Sequence, residues 1–212
     1  RRVIKQLQRP YPMSAHSSRA ISVAKDVARG GAFLHLHNPP IIHGDLKSDN
    51  ILLDMNWNGK ICDFGLSRFK DAARGLSKKG TPLWCAPEVL RGDVATEAAD
   101  VYSFAMILWE VCAWAEPYQG ESLFEVTYQV ANEGLRPKIP AHCNQFLSKM
   151  ITTCWDDDPE KRPAFVDIIE TLDGSSIKEN RTTIEIDPVW VNGEDEKARA
   201  PARPRLDRRI SL

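Results

Sequence analysis

Apolar positions fall first at helical spacing. Between Ser17 and His37 the residues Ile21, Ala24, Val27, Ala28, Phe33 and Leu34 share one helical face, and Pro39 with Pro40 ends the run. Two adjacent glycines, Gly30 and Gly31, lie inside this predicted helix. Residues 51–62, ILLDMNWNGKIC, contain two short apolar runs around a polar centre, and Asn58-Gly59 is the strongest turn signal, so a hairpin is expected. Residues 66–85 have little periodicity and predict a long ordered loop. Four further helices are predicted, at 98–114, 122–133, 144–155 and 165–172. Beyond Leu172 the pattern breaks, and the acidic and then Arg-rich, Pro-containing stretch after Glu194 is expected to be mostly disordered. The chain has no internal repeat.

Composition narrows the class. With 42% hydrophobic and 27% charged residues in 212, one sizeable core plus a tail is expected. The formal charge of −1 gives no global attraction for nucleic acid or an anionic membrane. The longest apolar stretch, Val101 to Ala115, contains Glu110 and is short for a bilayer, so it predicts a buried core helix and no membrane span. Cys62, Cys85, Cys112, Cys143 and Cys154 form no CxxC pair and sit in apolar segments, which suits thiols in the cytosol or nucleus. The opening RRVIKQLQRPYP has neither an initiating Met nor a signal sequence, so a fragment or processed product is expected.

A polar island, HGDLKSDN at 43–50, precedes the predicted hairpin, and Asp63-Phe64-Gly65 follows it. Taken singly these residues suit a turn: Asp45 and Asn50 as backbone caps, Lys47 as a solvated cation, Asp63 as a turn residue before Gly65. Their order alongside later stretches decides for chemistry. HGDLKSDN resembles the catalytic loop of eukaryotic protein kinases and DFG the metal-binding motif. GTPLWCAPE resembles the end of the activation segment, DVYSFAMILWE the central buried helix, and CWDDDPEKRPAF the close of the lobe. The resemblance covers roughly residues 14–172 and is strongest to the tyrosine-kinase-like branch of Ser/Thr kinases.

The resemblance implies an α+β fold: the mainly helical C-terminal lobe of a kinase with a small catalytic-loop hairpin. Residues 1–16 would be a lead-in from the hinge, 17–172 the lobe and 173–212 the tail. ATP and Mg²⁺ would be the cofactors and a protein the substrate. Asp45 would be the base, Lys47 the cation neutralising the transferred phosphoryl, Asn50 and Asp63 the Mg²⁺ ligands, and Leu52 the floor under the adenine. Thr81 with Lys47 resembles Ser/Thr specificity. Asp100 would hold the catalytic loop's backbone, Glu88 and Arg162 would form a buried ion pair, and His43 and Phe64 would join a hydrophobic column.

The sequence also departs from the family. Gly44 stands where an arginine usually receives an activation-loop phosphate, so regulation other than through Ser67, Ser77 or Thr81 phosphorylation is expected, with room for a regulatory partner. Gly31 replaces a large apolar residue, at about 1 kcal/mol relative to alanine, which predicts a less stable lobe. No Gly-rich loop, strand lysine or partner glutamate precedes Ser17, so this piece is expected to lack the family's N-terminal lobe, and feeble turnover is expected of it alone. An inactive docking module and a metal-dependent phosphoesterase are the competing readings. Arg208, Arg209 and Ser211 resemble a basophilic phosphorylation site, against a plain basic tail.

Overall fold

The computed structural model describes residues 13–54, 56, 58–69 and 81–174. The expected disordered tail, Ser77 and Ser211 lie outside the described residues.

The first helix, α1, runs Met13–His35, beginning before the expected Ser17 and stopping one turn ahead of Pro39. Helices α2 (Pro87–Arg91), α3 (Glu97–Ala113), α4 (Leu123–Asn132), α5 (Gln145–Cys154) and α6 (Phe165–Asp173) follow in the second half. Four of these match predicted helices to within a residue at each end, because their apolar stripes face one core; α2 is too short to show a period. The fold is α+β and mainly helical.

Helix α3 lies at the centre. Every residue from Ala99 to Cys112 is buried, including Asp100, Ser103 and Glu110. A helix with almost no polar side has no solvent face to present, and here α1, α5, the short strand Ile41–Ile42 and the 3-10 turns Pro82–Trp84 and Pro159–Lys161 cover it. No helix among the described residues is long and apolar enough to cross a membrane.

Strands β2 (Ile51–Leu53) and β3 (Gly59–Ile61) form the expected antiparallel hairpin, with Leu53 opposite Gly59. Its turn differs from the expectation: Gly59 is a strand residue, and the loop is organised by Asp54. That carboxylate accepts from the main-chain N–H of Asn56 and Asn58 and from Asn58 Nδ2. The side chain does locally what a two-residue Asn-Gly turn would have done with backbone strain. A second antiparallel pair, β1 (Ile41–Ile42) with β4 (Arg68–Phe69), is formed partly from the segment expected to be a loop; residues 70–80 of that segment lie outside the described residues.

Close approach explains the two glycines of α1. A Cβ on Gly31 would fall 2.3 Å from Phe165 Cε2, and one on Gly30 2.8 Å from Ile61 Cδ1. The Phe165 ring occupies the space that a large residue at 31 would otherwise fill, so the glycine is a packing requirement where the sequence suggested a weakness. Gly31→Ala gains about 1 kcal/mol of helix propensity but forces the buried Phe165 ring aside. Such overpacking costs about 1–3 kcal/mol, so net destabilisation is expected in urea denaturation.

Candidate active site

The polar island is built around one buried acid. Asp100, at the start of α3, accepts from the N–H of His43 at 2.8 Å and of Gly44 at 2.9 Å, and His35 Nε2 lies 3.0 Å from its Oδ2. A helix N-terminus favours an acid electrostatically, but here both oxygens are spent on fixing the loop. Gly44 has φ 75°, in the left-handed region open to glycine without strain. His43 is buried, with Nδ1 accepting from the Asp45 N–H at 3.3 Å and Nε2 meeting the Cys62 carbonyl at 3.2 Å. Its ring lies 5.3 Å from that of Phe64.

With the main chain so held, the Asp45 carboxylate collects four donors. Oδ1 accepts from Thr81 N at 3.0 Å and Thr81 Oγ1 at 2.9 Å; Oδ2 accepts from Lys47 Nζ at 2.7 Å and Asn50 Nδ2 at 3.2 Å. Lys47 Nζ also donates to Thr81 Oγ1 at 2.6 Å. Asn50 fixes itself further by donating to the Asp45 carbonyl at 2.8 Å. The structure thus brings Asp45, Lys47, Asn50 and Thr81 into one cluster, from positions up to 36 residues apart.

Asp63 enters by the hairpin register. The Cys62 N–H donates to the Asn50 carbonyl at 2.9 Å, extending the β2–β3 ladder and setting Asp63 one residue beyond it. Asp63 has φ 64° and ψ 66°, a left-handed conformation uncommon outside glycine but tolerated by Asp, and its exposed carboxylate accepts from Gly65 N at 3.4 Å. The donor set suits Mg²⁺: an exposed carboxylate oxygen, and an amide oxygen oriented because Asn50 spends its Nδ2 on Asp45. Leu52 stands apart, 45% exposed between buried Ile51 and Leu53, on the outward side of the hairpin opposite Lys60.

Glu88 and Arg162 form a fork-to-fork pair, with Nη1 to Oε1 at 2.7 Å and Nη2 to Oε2 at 2.8 Å, both residues being buried. The five cysteines are free thiols, Cys112 and Cys154 buried and Cys62, Cys85 and Cys143 half-buried. Burial still pushes the Cys85 thiol up to about 12, with Glu88 and Asp45 adding to the rise, so it is no thiolate beside the cluster.

One residue was missed. Glu110, noted in the sequence only as a charge in an apolar run, is 1% exposed, and it accepts from Ser48 Oγ at 3.0 Å and Trp84 Nε1 at 2.7 Å. Burial pushes its carboxyl up to about 8; the Trp84 and Ser48 bonds oppose the rise, and Asp49 and Glu116 add to it. An unfolded chain gives up this proton near 4.5, whereas the folded one keeps it to about 8. The folded state therefore binds more protons across that window, and stability falls as pH rises through it. Chemical denaturation between these limits should show that slope, and Glu110→Gln should flatten it.

Residues 4–172 match the family described as protein tyrosine and serine/threonine kinase. The chain belongs to the protein kinase family. It is similar to the probable serine/threonine-protein kinase drkC of Dictyostelium discoideum, 45% identical over 159 residues, covering 73% of this chain and 21% of that protein. It is also similar to the serine/threonine-protein kinase CTR1 of Arabidopsis thaliana, 45% identical over 157 residues, 73% of this chain and 19% of the relative. The dual specificity protein kinase shkA of Dictyostelium discoideum is 43% identical over 157 residues, 71% of this chain and 30% of the relative. These are kinases of the tyrosine-kinase-like kind, as the motifs suggested. The chain spans between 19% and 30% of the length of these kinases.

Proposed function

We propose that the protein transfers the γ-phosphate of ATP to serine or threonine hydroxyls of a protein substrate. The observation that carries this reading is Thr81, whose hydroxyl donates to Asp45 while accepting from Lys47. A threonine so placed makes the segment after the activation loop part of the catalytic cluster. The relatives' names divide between serine/threonine and dual specificity, so the acceptor is a proposal of the geometry.

An ionised carboxylate offers about four lone-pair sites, and four donors already occupy those of Asp45. An acceptor hydroxyl must displace one. Lys47 is the donor free to leave: when its ammonium turns to the negative phosphoryl oxygens, Oδ2 opens to the hydroxyl of the substrate. Asp45 then orients that hydroxyl in line and takes its proton as the bond to phosphorus forms. Bound Mg²⁺ supplies neutralisation of the phosphate charge, and Asn50 with Asp63 would hold it. Leu52, apolar and exposed, would lie under the adenine.

Thr81 is unsuited to activating phosphorylation, because a phosphate there would face the Asp45 carboxylate. A peptide array phosphorylated by the full-length protein tests the reading. Serine and threonine peptides should be labelled; tyrosine labelling alone overturns the specificity, and none at all favours a docking lobe.

A further inference from the structure

The last turn of α3 and the segment that leads into α5 are stitched together by two side chains, and each carries a cysteine. Trp109 Nε1 donates to the Lys138 carbonyl at 3.0 Å, and His142 Nε2 donates to the Cys112 carbonyl at 3.0 Å. The second bond satisfies one of the carbonyls that a helix end leaves without an intrahelical partner. Cys143 follows His142 directly, and its N–H donates to the Pro140 carbonyl at 2.9 Å, which holds the turn before α5. The two thiols meet there: the Cys112 side chain is hydrogen-bonded to that of Cys143. Cys143 Sγ in turn lies 3.7 Å from the carbonyl of Asn144, the residue that caps α5. A pair of sulfurs in contact has thus been assembled from either side of α4.

The two thiols are not equivalent. Cys112 is 9% exposed, and burial pushes its thiol well above the usual range, with the bond to Cys143 and the charge Cys143 would carry both adding to the rise. A thiol that keeps its proton so firmly is a poor nucleophile. Cys143 is half-buried, so a solute can reach it.

We propose that Cys112 and Cys143 are a redox pair that a hydroperoxide converts to an intramolecular disulfide, Cys143 reacting first and Cys112 resolving it. In the first step the Cys143 sulfur, as thiolate, attacks a peroxide oxygen; the O–O bond breaks, one oxygen leaves as water, and Cys143 becomes a sulfenic acid. In the second, the Cys112 sulfur attacks the Cys143 sulfur, the S–O bond breaks, and hydroxide leaves as water with the Cys112 proton. Two thiols lose two electrons and one hydrogen peroxide becomes two waters. Because the stitches already hold the two backbones together, the bond needs only side-chain movement to bring the sulfurs to about 2.05 Å. It closes a loop around α4 and so removes freedom from the unfolded chain. Neither sulfur belongs to the catalytic cluster, and the inference stands apart from the kinase reading.

The test uses full-length protein, reduced and then treated in its folded state with hydrogen peroxide, beside the Cys143→Ser and Cys112→Ala variants. Thiols left free are alkylated, and the protein is cut with trypsin, which cleaves after Lys138 and so separates the two cysteines. Wild type should yield peptides linked through Cys112 and Cys143 and released by dithiothreitol, and oxidation should raise its thermal midpoint by several degrees. In Cys143→Ser, Cys112 should remain an alkylatable thiol; in Cys112→Ala, Cys143 should stop at the sulfenic acid and be trapped by dimedone. Peroxide that leaves both wild-type thiols alkylatable overturns the proposal, as does a Cys143 sulfinic acid beside a free Cys112 thiol. A link that forms only after denaturation overturns it too, and oxidation of Cys112 in Cys143→Ser at the wild-type rate contradicts the order of the two steps.

Discussion

Asp45→Asn in the full-length protein should lower kcat by about 10²–10⁴, the range for a lost general base, while leaving the fold in place. The amide retains one acceptor oxygen for Thr81 N and Oγ1, which reach Asp45 Oδ1 at 3.0 and 2.9 Å. Its nitrogen would face Lys47 Nζ, which now donates to Oδ2 at 2.7 Å. Donor would meet donor, so the lysine is released and the acceptor hydroxyl finds no base. KM for ATP should change much less than kcat, because Asp63 is untouched and Asn50, though it loses Oδ2 as an acceptor, keeps its shorter bond to the Asp45 carbonyl. A steady-state assay with a thermal melt beside it checks this; equal loss of kcat and of folded protein would show that Asp45 mattered only for structure.

Arg162→Leu should destabilise the protein by about 3–5 kcal/mol, because it strands the Glu88 carboxylate in the interior. The guanidinium is fully used. Besides the two bonds to Glu88, Nη1 donates to the Ala98 carbonyl at 2.9 Å and Nε to the Asp156 carbonyl at 2.8 Å. The Tyr102 ring lies 5.2 Å from its carbon, with Arg136 5.0 Å from the same ring. Arg162→Lys should recover little, since an ammonium cannot meet a carboxylate with two parallel bonds and also reach two carbonyls. Glu88→Gln also removes the counter-charge of a buried group, but it should cost less than Arg162→Leu, because the guanidinium keeps the glutamine amide oxygen and the Ala98 and Asp156 carbonyls as acceptors. Urea denaturation of the three variants gives the order, and a loss under 1 kcal/mol for Arg162→Leu would mean the pair is wetter than its geometry indicates.

The helices were legible because their apolar residues recur at 3.6 and enter one shared core. The catalytic cluster was legible through the order of its motifs, and Asp45, Lys47, Asn50 and Thr81 do meet. The β1–β4 pair was not: Ile41 opposite Phe69 and Ile42 opposite Arg68 is a two-residue contact between distant segments, with no turn to announce it. Gly59 was taken for a turn residue because Asn-Gly is a local signal, whereas the loop is set by the Asp54 side chain. Gly31 carries no sign in the sequence of the Phe165 ring that needs its missing Cβ. Glu110 could have been found. An acid inside an apolar run, with no cation at helical spacing, requires donors from elsewhere, and Trp84 and Ser48 are the donors it acquires.

The most direct test of the account is phosphate transfer itself: full-length protein, γ-labelled ATP, Mg²⁺ and a protein substrate, with the labelled amino acid identified after hydrolysis. The account predicts phosphoserine and phosphothreonine, lost in Asp45→Asn. Label on tyrosine alone, or equal labelling by the Asp45→Asn variant, would contradict it.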